Sequence, residues 1–179
     1  HKIIDLLKLI AWQIGKEVSL EELGRNLQMS KNTVERYLDL LTKVFVLFKV
    51  QGFSRNLRKE IVKTKRWYFY DNGIRNAVIA NFQPLNMRDD KGMLWENYLA
   101  AERLKFQHYH SMIVNNYFWR THDMQEIDWV EERNGKLYGY KFSEPARKMK
   151  APKAWSDSYP NTSFKVIHKS NFEELILKK

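Results

Sequence analysis

An α+β protein in two parts is the architecture this sequence predicts, on three observations. Residues 2–41 repeat apolar side chains at helical spacing and carry two serines placed to cap helices. Residues 117–143 break instead into strand-length runs whose side chains alternate. Charge is unevenly divided: residues 1–88 hold 16 Lys and Arg against 8 Asp and Glu, whereas 89–179 hold 15 against 13. A chain of 179 residues can bury one core or two small ones, and the change of pattern favours two.

The first part reads as helices followed by a strand pair. Ile3, Ile4, Leu6, Leu7, Leu9, Ile10, Ala11 and Trp12 predict a helix within 2–14 that is buried on more than one side. Ser19 with Glu22 is a capping box that starts a second helix at about 20–27. Met29-Ser30 makes a short turn, and Ser30 caps a third helix whose stripe is Val34, Leu38 and Leu41. Lys31, Asn32, Thr33 and Arg36 lie at or near its first turn, off that stripe. Strands at 46–50 and 67–70 bracket 54–66, where Arg55, Arg58, Lys59, Lys63, Lys65 and Arg66 are set against Glu60 alone. Helix, short turn, helix and a basic wing is the pattern of a winged helix-turn-helix over 1–80, in which the start of the third helix and the wing meet nucleic acid. Winged helices also dock proteins, and the charged wing would then pack on a neighbouring domain.

Asp71-Asn72-Gly73 reads as a turn, 74–79 as a short helix, and 81–88, with Pro84, as a linker. A long helix at 90–107 opens the second part, with a stripe of Trp95, Leu99, Glu102 and Phe106. Glu102 among apolar neighbours needs a partner, and Arg120 can supply a bidentate guanidinium in a structural ion pair. His108 and His110 read as loop residues after that helix, with no third ligand at metal-binding spacing. In the second strand, alternation puts Glu126, Asp128 and Val130 on one side and Ile127 and Trp129 on the other. In the third, Tyr138, Tyr140 and Phe142 form an apolar face, while Leu137, Gly139, Lys141 and Ser143 look toward Asp128. A short helix at 153–156, a strand at 163–167 and a helix at 172–177 complete an α/β domain with a mixed sheet over 89–179. An acid on one strand and a polar dyad about a dozen residues later is the layout of a restriction-endonuclease-like, PD-(D/E)xK, fold.

The resemblance goes beyond fold. Gly92-Met93-Leu94-Trp95-Glu96-Asn97 with Glu102, Trp119-Arg120-Thr121, Glu126-Ile127-Asp128-Trp129-Val130, Lys150-Ala151-Pro152-Lys153-Ala154-Trp155 and Tyr159-Pro160 resemble the C-terminal region of a family of prokaryotic AAA-type ATPases. That resemblance covers nearly the whole chain. It implies a winged helix, then a nuclease-like domain, both preceded by an ATP-binding domain that would hold ATP and Mg²⁺. The chain itself has no G-x-x-x-x-G-K-[ST] loop, so any ATPase activity belongs to residues outside it. The start at His1, directly in an amphipathic run, fits a piece of something longer.

One departure decides the chemistry. The family carries Glu-x-Lys on the third strand, whereas here the matching residues are Tyr140-Lys141-Phe142-Ser143; in the other register Gly139 stands where the glutamate belongs. Mg²⁺-dependent phosphodiester hydrolysis uses carboxylates to hold a hard cation against the phosphate. Glu96, Glu126 and Asp128 are the remaining candidate ligands, and Lys141 would place an ammonium among them. The remnant site Glu96, Asp128, Lys141 and Ser143 therefore reads as an ion-pair cluster, with no cofactor expected in this chain.

The expected partners are DNA and the chain's own ATPase domain, with a homo-oligomer open. The alternatives are an active Mg²⁺-dependent nuclease and a docking or oligomerisation module. No cysteine is present, which excludes disulfides and thiolate metal sites. The longest apolar runs, such as Val44-Phe45-Val46-Leu47-Phe48, are too short to cross a bilayer, and the expected location is the cytoplasm.

Overall fold

The computed structural model describes residues 1–55 and 64–177. These fall into two compact units, His1–Lys49 with Thr64–Ala101, and residues 50–55 with 102–177.

The first unit contains helix α1 (Lys2–Ala11), strand β1 (Glu17–Val18), helices α2 (Leu20–Leu27) and α3 (Lys31–Lys43), and the start of strand β2 (Leu47–Gly52). Strand β3 (Lys65–Phe69), helix α4 (Asn72–Val78), a 3-10 turn (Leu85–Met87) and the start of helix α5 (Lys91–Tyr109) follow. Ser19 Oγ accepts from Glu22 N at 3.2 Å and Ser30 Oγ from Thr33 N at 3.1 Å, so both serines satisfy amides that the helices leave open. Helix α1 is narrower than its composition predicts. Leu6, Leu7, Ile10 and Ala11 are buried while Ile4 and Trp12 are about half exposed, which leaves one apolar stripe packing on α2 and α4. Asp71, expected in a turn, caps α4 through Oδ1 and Ile74 N at 2.9 Å. Strand β1, too short to leave a periodic signal, pairs antiparallel with β3 through Glu17–Arg66 and Val18–Lys65.

A buried carboxylate gathers the end of this unit. Asp90 accepts from Arg88 Nε and Nη2, both at 2.7 Å, and from Arg75 Nη1. Arg75 also donates twice to the Ala11 carbonyl, at 3.0 and 2.9 Å, and Arg88 Nη1 donates to the Asn81 carbonyl at 2.6 Å. Two guanidiniums thus satisfy the last residue of α1, the segment after α4 and the residue before α5. Residues 81–88, expected as a linker, include the 3-10 turn and are fastened at Asn81 and Arg88.

In the second unit the end of β2 pairs parallel with β4 (Asn115–Arg120), through Gln51–Tyr117 and Gly52–Phe118. Strands β4, β5 (Glu126–Arg133) and β6 (Lys136–Phe142) form an antiparallel meander. Asn134 and Gly135 both have positive φ, at 52° and 70°, the turn that suits a tight hairpin. Helix α6 (Lys153–Ser158) then leads to β7 (Ser163–Ile167), parallel to β6, and helix α7 (Glu173–Ile176) closes the unit. Among the described residues the chain is therefore α+β, with seven α-helices and a mixed seven-strand sheet in the order β1-β3-β2-β4-β5-β6-β7. Among the same residues no helix is long and apolar enough to cross a membrane.

Strict alternation along β5 does not hold. Tyr117 pairs with Val130 and Trp119 with Ile127, so two residues of β4 span three of β5, and the extra residue is a bulge. Ile127 and Val130, expected on opposite faces, both enter one core cluster with Phe53, Trp119, Leu137, Trp155 and Tyr159. Leu137, expected on a polar face, is part of that core. Both faces of the sheet are covered, which is why five consecutive residues, Ile127 to Glu131, are buried.

The pairing with Arg88 holds the Asp90 carboxyl well below its ordinary value, at about 2; burial opposes the shift and Arg75 adds to it. A depressed carboxylate contributes stability that is present above its ordinary value and is lost as pH falls from about 4 to about 2. That contribution is about 2–3 kcal/mol. Asp90→Asn should lose this amount at pH 7, and urea denaturation should show the gap to the wild type narrowing at pH 3.

Candidate functional site

The helix pair α2–α3 is joined by a turn that only close backbone contact permits. Gln28 is left-handed, at φ 51°, and Met29 N donates to the Gly24 carbonyl at 2.8 Å. A Cβ at Gly24 would lie 2.7 Å from the Met29 carbonyl oxygen. Backbone meets backbone there, so nothing flexible can yield. At the start of α3, Lys31 Nζ bonds Glu21 Oε1 at 2.6 Å, which raises the lysine above its usual range and lowers the carboxyl. Thr33 Oγ1 lies 2.8 Å from Ser30 Oγ, within the cap. Asn32 and Arg36 are exposed. Arg55, in the second unit, is held by Glu132 at 3.3 Å, and its amide donates to Tyr159 Oη at 3.1 Å. Arg58, Lys59 and Lys63 lie outside the described residues.

The strand site is built at the bulge of β5. Lys141 Nζ donates to Glu126 Oε1 at 2.7 Å and to Asp128 Oδ1 at 2.9 Å, while Phe142 N donates to Asp128 Oδ2 at 2.7 Å. Asp128 is 4 % exposed, and burial pushes its carboxyl upward against the pull of the Lys141 ammonium. Burial alone would lower Lys141; the carboxylates of Asp128 and Glu126 outweigh it and hold the lysine above its usual range. The side chain of Lys141 therefore faces Asp128, as the strand parity of β6 predicts. Ser143 turns instead to the Pro145 carbonyl, at 2.8 Å. This donor set does not fit a divalent cation: the ammonium takes the oxygens that a metal would need, and a backbone amide takes another. Among the described residues no three His, Asp or Glu side chains are grouped so as to hold a metal ion.

Glu96 belongs to the first unit, where it accepts from Tyr68 Oη at 2.8 Å, with Arg66 at 4.0 Å. Its neighbour Asn97 bonds both the amide and the carbonyl of Phe69, at 2.8 and 3.0 Å. This acid-amide pair thus ties α5 to β3. The expected pair of Glu102 with Arg120 does not form. Glu102 is only half-buried and bonds Lys105 one turn on, at 2.7 Å, and Arg120 Nη2 lies against Met124 Sδ.

The buried pair is one residue further along the helix. Arg103 grips the fully buried Glu131 through Nε and, at 2.8 Å, through Nη2; Gln107 Nε2 donates to it at 2.8 Å and Arg133 Nε at 3.1 Å. The spacing of Arg103 and Gln107, four apart on one face with Leu99 and Ala100, was the available signal. Its partner left a signal as well, since alternation puts Glu131 on the same side as Ile127 and Trp129, and Trp129 Nε1 donates to Glu131 Oε1 at 3.3 Å. His108 is in the last turn of α5 rather than beyond it, and His110 Nδ1 lies 2.8 Å from the Phe106 carbonyl.

Residues 1–86 match the family described as Domain of unknown function (DUF8612), and residues 91–172 match Domain of unknown function (DUF4143). The chain is 27% identical over 136 residues to the uncharacterized protein Rv2008c of Mycobacterium tuberculosis and, at the same identity and length, to the uncharacterized protein Mb2031c of Mycobacterium bovis. The matched stretch covers 74% of this chain and 30% of each relative, so the chain spans about a third of their length. No solved structure matches.

Two substitutions test this geometry. Gly24→Ala gains up to about 1 kcal/mol of helix propensity but must move the Met29 carbonyl, and thermal denaturation should show a net loss of about 1–3 kcal/mol. Lys141→Met leaves the buried Asp128 carboxylate without its ammonium and should cost about 2–4 kcal/mol at pH 7. Because Asp128 can escape that cost by taking a proton, urea denaturation should find the Lys141→Met deficit smaller at pH 5. A deficit independent of pH would contradict the assignment of Lys141 as the counter-ion.

Proposed function

We propose that this chain is the C-terminal part of a cytoplasmic AAA-type ATPase, in which a winged helix-turn-helix over 1–80 binds DNA and a restriction-endonuclease-like domain over 89–179 does not cut it. The observation that carries the DNA-binding half is the capped α2–α3 pair, whose second helix starts with exposed polar and basic residues off its buried stripe. The excess of 16 basic over 8 acidic residues in 1–88 supports it. The non-catalytic half is supported by Lys141, whose ammonium neutralises the two carboxylates a hydrolytic metal would use. ATP and Mg²⁺ would be bound by the preceding domain, and this chain would need no cofactor.

A second function, docking to the ATPase domain or to a second copy, is favoured by Phe82, Leu85 and Met87. These three large apolar side chains are each more than 60% exposed within six residues, on a segment fastened by Arg88.

Fluorescence anisotropy with a labelled duplex across a salt series separates the two. DNA binding requires an affinity that falls linearly in log-log form, with a slope of about 0.9 per phosphate neutralised, and a lower slope after substitution of Arg55, Arg58 and Lys59. Absence of binding at low salt would favour docking. Incubation with Mg²⁺ or Mn²⁺ should leave the duplex intact; cleavage abolished by a chelator would overturn the non-catalytic assignment.

A further inference from the structure

Helix α3 sorts its polar residues into those already engaged and those free to read a partner. Val34, Leu38 and Leu41 are buried, so residues 32, 36, 39, 40 and 43 lie on the opposite, outward side of a 3.6-residue helix. Both carboxylates of α3 are tied down by lysines of neighbouring strands: Glu35 by Lys65 at 3.5 Å and Asp39 by Lys49 at 3.4 Å. Lys31 is engaged by Glu21, and the Thr33 hydroxyl by the cap. Asn32, Arg36 and Lys43 are exposed and form no hydrogen bond or ion pair with any described residue. Carboxylates beside a phosphate backbone would repel it, and pairing each with an ammonium reduces that penalty.

We propose that Asn32 and Arg36 are the base-reading residues of this helix, Asn32 addressing adenine and Arg36 guanine in the major groove, with Lys43 on a phosphate. This rests on the DNA-binding function proposed above. The side-chain chemistry sets the assignment: an amide offers one donor and one acceptor to adenine N7 and N6, whereas a guanidinium offers two donors to guanine O6 and N7. The two residues are one turn apart, about 6 Å along the axis, which corresponds to roughly two base-pair steps of about 3.4 Å. The preferred site therefore contains an adenine and a guanine separated by about two steps.

The test is selection from a labelled duplex randomised at its central positions, followed by anisotropy on the enriched sequence with the whole chain. Asn32→Ala should remove the preference for adenine at one position. Arg36→Ala should remove the preference for guanine and weaken the enriched site by about tenfold or more, with little effect on a scrambled duplex. Lys43→Ala should weaken both duplexes alike and lower the salt slope by about 1. All three side chains are exposed, so unchanged circular dichroism is the folding control. Salt-sensitive binding without enrichment, or enrichment that survives both Asn32→Ala and Arg36→Ala, would overturn this assignment and leave DNA binding standing. No affinity for any duplex at low salt would overturn both.

Discussion

Burying a carboxylate obliges the fold to bring it a cation, and much of this structure follows from meeting that obligation three times. Taking a charge out of water costs several kcal/mol unless a paired and hydrogen-bonded partner returns it. Asp90 is answered by Arg75 and Arg88, Glu131 by Arg103 and Arg133, and Asp128 by Lys141. The two arginine answers also use remaining donors to satisfy backbone groups, while Lys141 spends a second donor on Glu126. Arg75 takes the Ala11 carbonyl, Arg103 the Leu175 carbonyl at 2.7 Å, and Gln107 joins Glu131 to Asn116. The cations therefore fix where helix and chain ends lie within their own units as well as neutralising charge.

The same constraint leaves the charged groups in two different states. Glu126, Asp128 and Lys141 have the residue types of a phosphodiester site, and their mutual bonds make an acid-ammonium cluster. On α3 the outcome is different: its acids are paired off, and an amide, a guanidinium and an ammonium remain exposed. A surface of that kind offers donors to a polyanion without an adjacent unpaired carboxylate to oppose it.

Elements with local signals are legible in the order of residues alone. The bounds of α2 follow from the Ser19-Glu22 capping box and the Met29-Ser30 turn, those of β7 from a short apolar alternation, and the stripe of α3 from spacing. Differences between expectation and fold concentrate where a long-range event intervenes. The bulge in β5 brings Val130 to the side of Ile127, and the buried ion pair expected of Glu102 and Arg120 is made instead by Glu131 and Arg103. The exposed flank of α1 is likewise a matter of what packs against it, since its composition alone allows burial on several sides.

By itself the sequence determined the α+β composition, the serine caps of α2 and α3, the presence of four strands after α5 and the contact of Lys141 with Asp128. Each of these is written in spacing over a few residues, where chain geometry leaves little choice. Only the tertiary structure decided which carboxylates are buried and which cations meet them. A one-residue bulge changes the face of every side chain beyond it, and a guanidinium reaches partners that no local pattern connects.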